Sequence, residues 1–295
     1  MEITNLQRTE ILIQALPYIK KYNNKIVVIK YGGNAMVNDE LTNSVMEDIV
    51  LLQLVGVKVL LIHGGGSEIS EVLDKMNMQS KFINGLRVTT KETIDVVLMV
   101  LAGKINKSLV NLIHKNRGKA IGLSGIDGRM IKTIKRDDEL GFVGTIEKIN
   151  PQIIIDTLDK GYVPVISTLA FDDAGNIYNV NADTTAAEIA GSLNAESYII
   201  MTDVKGLYRN INDKSSFISE IHMSELVKLM KSGSISGGMI PKVDSCIAAI
   251  NSKVKKAVII DGRIPHSILL EMFTDEGIGT LIGHDPITNK KGAIL

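Results

Sequence analysis

The chain has 295 residues, 45% of them apolar, enough to bury one large α/β core or two smaller ones. Thirty-three basic residues balance thirty-three acidic ones, so no global field favours nucleic acid or an anionic membrane, and the lack of tryptophan leaves little for base stacking. No apolar run reaches the roughly eighteen residues that span a bilayer, the acid-bearing N-terminus lacks a signal core, and the lone cysteine, Cys246, excludes an internal disulfide and fits a reducing cytoplasm.

Residues Thr4–Lys21 read as a helix with Leu6, Ile11, Leu12, Leu16 and Ile19 on one side, in which Pro17 should cause a kink or break. It would pack on its own domain or reach a neighbouring subunit, and periodicity favours the first. Ile26–Ile29 has the apolar, β-branched pattern of a strand buried on both faces. Lys30 closes that strand just before Gly32-Gly33, where an ammonium could meet phosphate or carboxylate oxygens. On this stretch alone, a solvated lysine before an ordinary turn reads equally well.

A helix over Asp39–Val55 and a strand over Val57–Ile62 lead to His63-Gly64-Gly65-Gly66, which opens another helix. Three glycines between a strand and a helix start favour an anion site, because ordering them as a mere turn costs entropy. His63 reads as a packed, hydrogen-bonded side chain, since no partner cluster lies near it in sequence. Arg87 precedes a long apolar helix over Thr90–Lys115, with Thr89 and Glu92 forming a capping box. It is either a carboxylate clamp or a surface arginine. The apolar face of the long helix is core or dimer interface.

Asp127-Gly128 signals a hairpin, Lys135–Leu140 a solvated turn, and Asn150-Pro151 opens a helix that Gly161 closes before the strand Val163–Ser167. Asn179 and Asn181 alternate with Val180 and face one way, supplying uncharged donors and acceptors. Asp183 is placed to N-cap the alanine-rich helix that follows, Ala186–Leu193, and to orient a neighbouring lysine. The strand Ser197–Thr202 ends in Asp203-Val204-Lys205-Gly206, a loop or hairpin spans Tyr208–Ser219, and a helix covers Met223–Lys231. Lys242 follows the flexible loop containing Gly237 and Gly238, at a helix start where a cation opposes the dipole unless an anion joins it. A last strand over Ala257–Ile260, a helix from Pro265 and a glycine-bearing turn over Phe273–Thr280 complete the pattern.

Alternating strands and helices predict a mostly parallel sheet with helices on both faces and a ligand cleft along one edge. The P-loop, the Gly-x-Gly-x-x-Gly turn, a nucleophile elbow and metal-ligand spacings are all missing. Two lysines beside glycine loops, an arginine and an aspartate suit phosphoryl transfer, which needs positioning and charge neutralisation. The lack of an evident base suits an acceptor already ionised, such as a carboxylate.

Lys30-Tyr-Gly-Gly-Asn-Ala-Met36, His63-Gly-Gly-Gly66, Asn84-Gly-Leu-Arg-Val-Thr89, Asn179-Val-Asn-Ala-Asp183 and Gly237-Gly-Met-Ile-Pro-Lys242 resemble, in order, the motifs of the amino-acid kinase family. The resemblance covers nearly the whole chain and is closest to members acting on N-acetylglutamate in arginine biosynthesis. It implies a three-layer αβα sandwich with a mostly parallel central sheet and an extra N-terminal helix. The implied units are that helix (1–24), an acetylglutamate-binding and dimerisation lobe (25–195) and an ATP-binding lobe (196–295).

By the same resemblance, Lys30 and Lys242 would flank the transferring phosphoryl group and Asp183 would orient them. Gly65, Gly66, Arg87, Asn179 and Asn181 would serve the substrate; Gly32, Gly33, Asp203, Lys205, Gly206, Gly237 and Gly238 would serve the nucleotide. Mg²⁺ would travel with ATP, with no metal site in the protein, and the enzyme would be cytoplasmic. The termini resemble arginine-inhibited members, in which N-terminal helices interlace dimers into a hexamer; Tyr18, His266, Glu276 and Gly279 are the candidate arginine contacts. A nitrogen-status signal protein is a further partner of some relatives. The rivals are family kinases for aspartate, glutamate, carbamate or an aminoadipate derivative, and a silent arginine sensor, which would not require both lysines and Asp183.

Overall fold

The run Ile26-Val-Val-Ile forms the centre of the fold because it can be buried on both sides, and Val27, Val28 and Ile29 are fully inaccessible. The computed structural model describes residues 4–36 and 38–285. α1 (Asn5–Tyr22), β1 (Ile26–Tyr31), α2 (Asp39–Leu54), β2 (Lys58–His63) and α3 (Gly66–Lys75) open the chain. A ribbon of β3 (Phe82–Ile83) and β4 (Leu86–Arg87) precedes one long helix, built of α4 (Lys91–Leu98), a π-helical segment (Met99–Ile105) and α5 (Asn106–Lys115). Then come β5 (Ala120–Ser124), β6 (Ile131–Lys135), β7 (Gly144–Ile149), α6 (Gln152–Asp159), β8 (Val163–Ser167), β9 (Leu169–Phe171), β10 (Ile177–Asn179) and α7 (Ala182–Ser192). The last third holds β11 (Ser197–Thr202), β12 (Leu207–Tyr208), β13 (Phe217–Ile218), β14 (Glu220–His222), α8 (Met223–Lys231), α9 (Ile240–Asn251), β15 (Lys256–Asp261), α10 (Ser267–Met272) and β16 (Thr280–Gly283).

The central sheet has the order β14-β16-β15-β11-β1-β2-β8-β5, parallel except where β15 meets β16. Alternate residues of its strands feed two cores. Val27, Ile29, Leu61 and Ile199 pack with α2, α10 and the long helix, whereas Val28, Leu60, Ile62 and Ile200 pack with α6, α7 and α9. The result is the expected αβα sandwich. A smaller sheet, β10-β9-β6-β7, and the ribbon β12-β13 flank it. The 25-residue helix 91–115 is long and apolar enough to cross a bilayer, yet Ile94, Val97, Leu101, Ile105 and Ile113 lie in the core.

Several local expectations are corrected. Asp127-Gly128 lies in a 3₁₀ turn that carries the chain from β5 in the large sheet to β6 in the small one, so it joins no hairpin; the hairpin is β6-β7. Pro17 does not break α1, because it sits on an exposed face where the carbonyl it leaves unpaired meets water. Most of α1 does not pack on its own chain either: Leu6, Ile11, Leu12, Ile13 and Leu16 are all more than half exposed. Thr90, not Thr89, caps α4 by accepting the Thr93 amide at 3.2 Å, while the buried Thr89 hydroxyl donates to the Arg87 carbonyl. Asn181, not Asp183, caps α7, its Oδ1 accepting the Thr184 amide at 3.0 Å; Asp183 therefore lies inside the helix, in its first turn.

The π-helical segment widens the long helix where it passes under the turn after β2. A Cβ on Gly65 would lie 2.2 Å from Ile105 Cδ1 and 2.8 Å from Leu101 Cδ2, both side chains being buried. Gly65→Ala is expected to destabilise the fold by about 1–3 kcal/mol. Combined with Ile105→Ala it should fall short of the sum of the single effects by about 1 kcal/mol or more in urea unfolding, because the cavity of one accepts the methyl of the other.

On the same face, buried Asp48 of α2 pairs with His266 Nδ1 at 2.6 Å. Burial pushes its carboxyl up to about 6, with the His266 contact offsetting part of the rise. A raised acid favours the fold below its unfolded value and loses that contribution as pH climbs through the folded one. The unfolding free energy of the wild type relative to Asp48→Asn should therefore fall by about 2–3 kcal/mol from pH 4 to pH 7.

Candidate active site

The parallel strands place Lys30 (β1), the glycines after β2, the first turn of α7 and the start of α9 together at the carboxyl edge of the sheet. Lys30 Nζ lies 2.9 Å from Asp183 Oδ1, and Lys242 Nζ lies 3.4 Å from Asp183 Oδ2. One carboxylate thus holds two ammoniums. Lys30 and Asp183 are both buried. Burial raises the Asp183 carboxyl, but the two ammoniums outweigh it and hold the group below the usual carboxylate range. Beneath the trio, the buried Tyr198 hydroxyl donates to the Asp183 carbonyl at 3.1 Å, and Ser245 donates to the Lys242 carbonyl at 2.7 Å.

On one side of Asp183 is a cavity of about 220 Å³ lined by Lys30, Gly33, Gly64, Gly65, Gly66, Arg87, Asn179, Asn181 and Asp183, with apolar walls from Ile69, Phe82, Leu101, Val143 and Val180. Arg87 is no surface residue. It is buried, its guanidinium is 4.7 Å from the Phe82 ring, and burial lowers its pKa. Its Nη1 donates to Ser80 Oγ at 2.7 Å, and its Nη2 donates to the Gly66 carbonyl at 2.7 Å and Ser70 Oγ at 2.8 Å. Two of its five N–H groups remain for a ligand unless a serine hydroxyl is displaced. Gly33 lines this cavity, and Gly32 lies behind it, where a Cβ would come 3.4 Å from the Gly64 amide nitrogen and 3.6 Å from Lys30 Nζ.

On the other side, a cavity of about 380 Å³ is lined by Asp203, Gly206, Gly238 and Lys242. Lys205 and Gly237 do not line it; the Lys205 ammonium instead sits 4.2 Å from the centre of the Phe217 ring. Sequence reasoning missed its apolar walls, Tyr208, Ile211, Ile235 and Met239. Their only signal is that they interrupt otherwise polar loops. Gly206 has φ +154° and leaves no room for a side chain, since a Cβ would lie 2.4 Å from Thr280 Oγ1.

A third cavity, also about 380 Å³, opens where α1 meets the turn 273–279. Tyr18, Glu276 and Gly279 line it, together with Lys21, Glu220, Lys256 and Glu271, which the sequence did not single out. The Tyr18 hydroxyl bonds Asp275, its ring stacks on Phe273, and the Glu271 carboxylate accepts the amides of Ile278 and Gly279. His266 is not part of this cavity: it faces Asp48 instead.

Residues 25–261 match the family model described as "Amino acid kinase family". The acetylglutamate kinase of Thermoanaerobacter pseudethanolicus is 52% identical over 95% of this chain and 94% of its own length. That of Brachyspira hyodysenteriae is 52% identical over 96% of this chain and 99% of its own. Among solved structures, N-acetylglutamate synthase from Neisseria gonorrhoeae, complexed with coenzyme A and N-acetyl-glutamate, shares the fold with a TM-score of 0.84 at 21% identity; the match covers 95% of this chain and 64% of that one. With its sheet order, its shared carboxylate between two lysines and these relatives, the chain belongs to the amino acid kinase family, as a kinase grouped with the acetylglutamate kinases.

Proposed function

We propose that this kinase transfers the γ-phosphoryl group of MgATP to the γ-carboxylate of N-acetyl-L-glutamate, giving an acyl phosphate and ADP in the second step of arginine biosynthesis. One observation carries the reading: Asp183 is shared by Lys30, which lines the smaller cavity, and Lys242, which lines the larger. A phosphoryl group passing between two such cavities would meet both ammoniums. The smaller cavity takes the acceptor. Arg87 holds its α-carboxylate, and Asn179 and the Gly65 and Gly66 amides hold its remaining polar groups. The larger, partly apolar cavity takes the nucleotide, with Asp203, Gly206 and Gly238 around it.

A carboxylate oxygen attacks the γ-phosphorus in line, a P–O bond forms, the bond to the β-phosphate oxygen breaks, and the electron pair leaves with ADP. No proton moves, so no base is required. Lys30 and Lys242 neutralise the charge on the oxygens in flight, and Asp183 keeps both ammoniums aimed there without placing a net positive charge of two in the empty site. Among the described residues no group of three His, Cys, Asp or Glu side chains is placed to hold a metal ion. Mg²⁺ would enter with the nucleotide and offset the charge of its phosphates. The residues assigned to acceptor and nucleotide support lobes at 25–195 and 196–295, and a cytoplasmic site of action follows from these substrates.

The third cavity supports feedback inhibition by L-arginine. Glu220, Glu271 and Glu276 suit a guanidinium, and Lys21 or Lys256 suits the α-carboxylate. The exposed Leu6, Ile11, Leu12, Ile13 and Leu16 of α1 support interlacing of dimers into a hexamer.

ADP release is the decisive assay, with N-acetylglutamate, glutamate, aspartate and N-acetylaminoadipate compared as acceptors. Turnover should be confined to N-acetylglutamate, and turnover on another acceptor instead would overturn the substrate assignment. Lys30→Ala and Lys242→Ala should each lower kcat by about 10²–10³-fold. Arg87→Ala should act mainly through the acceptor, raising its KM by about 10–100-fold. Arginine should suppress the wild type, and Glu276→Gln should demand a higher arginine concentration with kcat unchanged; an enzyme indifferent to arginine removes the regulatory part alone.

A further inference from the structure

His63 lies fully buried at the end of β2, beneath the glycine turn. Its Nδ1 is 2.9 Å from the Gly64 carbonyl oxygen, and its Nε2 is 3.2 Å from the Asn106 side-chain nitrogen. The Asn106 amide has a defined orientation. Its nitrogen donates to the Val165 carbonyl at 2.9 Å and to the Leu123 carbonyl at 3.2 Å, and its oxygen accepts from Lys107 Nζ at 3.2 Å. Because a carbonyl only accepts, the Gly64 contact puts the proton on Nδ1; the Asn106 NH₂ only donates, so Nε2, which shares one of its N–H groups with the Leu123 carbonyl, stays bare. Burial also pushes the imidazole down to about 4, so it stays neutral across the working pH range.

Gly64 is held from its other side as well, its N–H donating to the Tyr31 carbonyl at 3.0 Å. In a planar trans peptide the Gly64 carbonyl and the Gly65 N–H point in opposite directions. A carbonyl drawn toward the buried imidazole therefore turns the Gly65 N–H away from it, toward the cavity that Gly65 lines.

We infer that His63 is a positioning residue for phosphoryl transfer: its Nδ1–H, in the tautomer selected by Asn106, fixes the Gly64–Gly65 peptide so that the Gly65 N–H meets the transferring group. This rests on the phosphoryl-transfer reading above. A peptide freed to rotate would present a carbonyl oxygen to that group in part of the population, which opposes developing negative charge.

The test uses the different reach of two amides. Asparagine places its amide nitrogen near the position of Nδ1, and glutamine can place its amide oxygen near that of Nε2, where it accepts from Asn106. His63→Asn should retain at least tenfold more kcat than His63→Gln, which keeps only the Asn106 side of the network. Nucleotide affinity, read by calorimetry with a non-hydrolysable ATP analogue, should be the same in both. Equal kcat in the two variants overturns the assignment, as does a loss confined to nucleotide affinity. For variants that fail to fold, ¹⁵N spectra of histidine-labelled wild type provide an independent test, since a proton on Nε2 of His63 contradicts the proposal. A wild type that turns over no acceptor overturns the kinase reading itself, which these outcomes keep distinct.

Discussion

The buried Asp183 carboxylate and the two ammoniums it holds constrain the rest of the structure. A carboxylate this deep is costly to desolvate, and it stays ionised only because Lys30 and Lys242 reach it from two different elements. That requirement sets the relative positions of β1, α7 and α9. The Tyr198 hydroxyl of β11 ties the α7 backbone to the sheet and lies 3.4 Å from Ser245 Oγ of α9, which itself donates to the Lys242 carbonyl, so the charge triad is held by neutral hydrogen bonds that a change of salt would not screen. In the proposed reaction this arrangement has a second effect: the lysines are already aimed at a common point before any substrate arrives.

The turn after β2 shows how packing serves that site. Gly65 must lack a side chain because the π-helical segment presses Leu101 and Ile105 against it, and Leu101 also lines the smaller cavity beside Lys30. The widened helix thus acts as a floor for the turn. Directly beneath, the buried His63 and Asn106 side chains form a neutral pair, which low dielectric strengthens. A charged imidazole in the same position would be disfavoured both by burial and by Lys107.

The far end of the molecule connects to the larger cavity beside Lys242 through one buried threonine. Thr280 accepts the Leu207 amide at 2.8 Å and donates to the Ile218 carbonyl, and its hydroxyl occupies the space a side chain on Gly206 would need. The turn lining the third cavity and the loop lining the larger cavity beside Lys242 therefore share a fixed point. The N-terminal helix meets that turn through Tyr18 and β15 through Tyr22, which accepts from Lys256, while leaving its earlier apolar residues in solvent.

By itself, the sequence determined those features that depend on near neighbours. Runs of β-branched residues marked the sheet strands, glycines marked the turns at their carboxyl ends, and the order of motifs identified the family; even the packed character of His63 was legible from its lack of nearby partners. Tertiary structure decided what depends on distant segments. The strand order brought Lys242 to Asp183 and turned Asp127-Gly128 into a crossing between sheets. The approach of α2 drew His266 to Asp48 and out of the third cavity, while Lys256 and Glu271 entered it unannounced. The capping of α7 fell to Asn181 because Asp183 was already engaged by two lysines. Local patterns are set by spacing along the chain, whereas a side chain with several possible partners takes the one that burial makes costliest to leave alone.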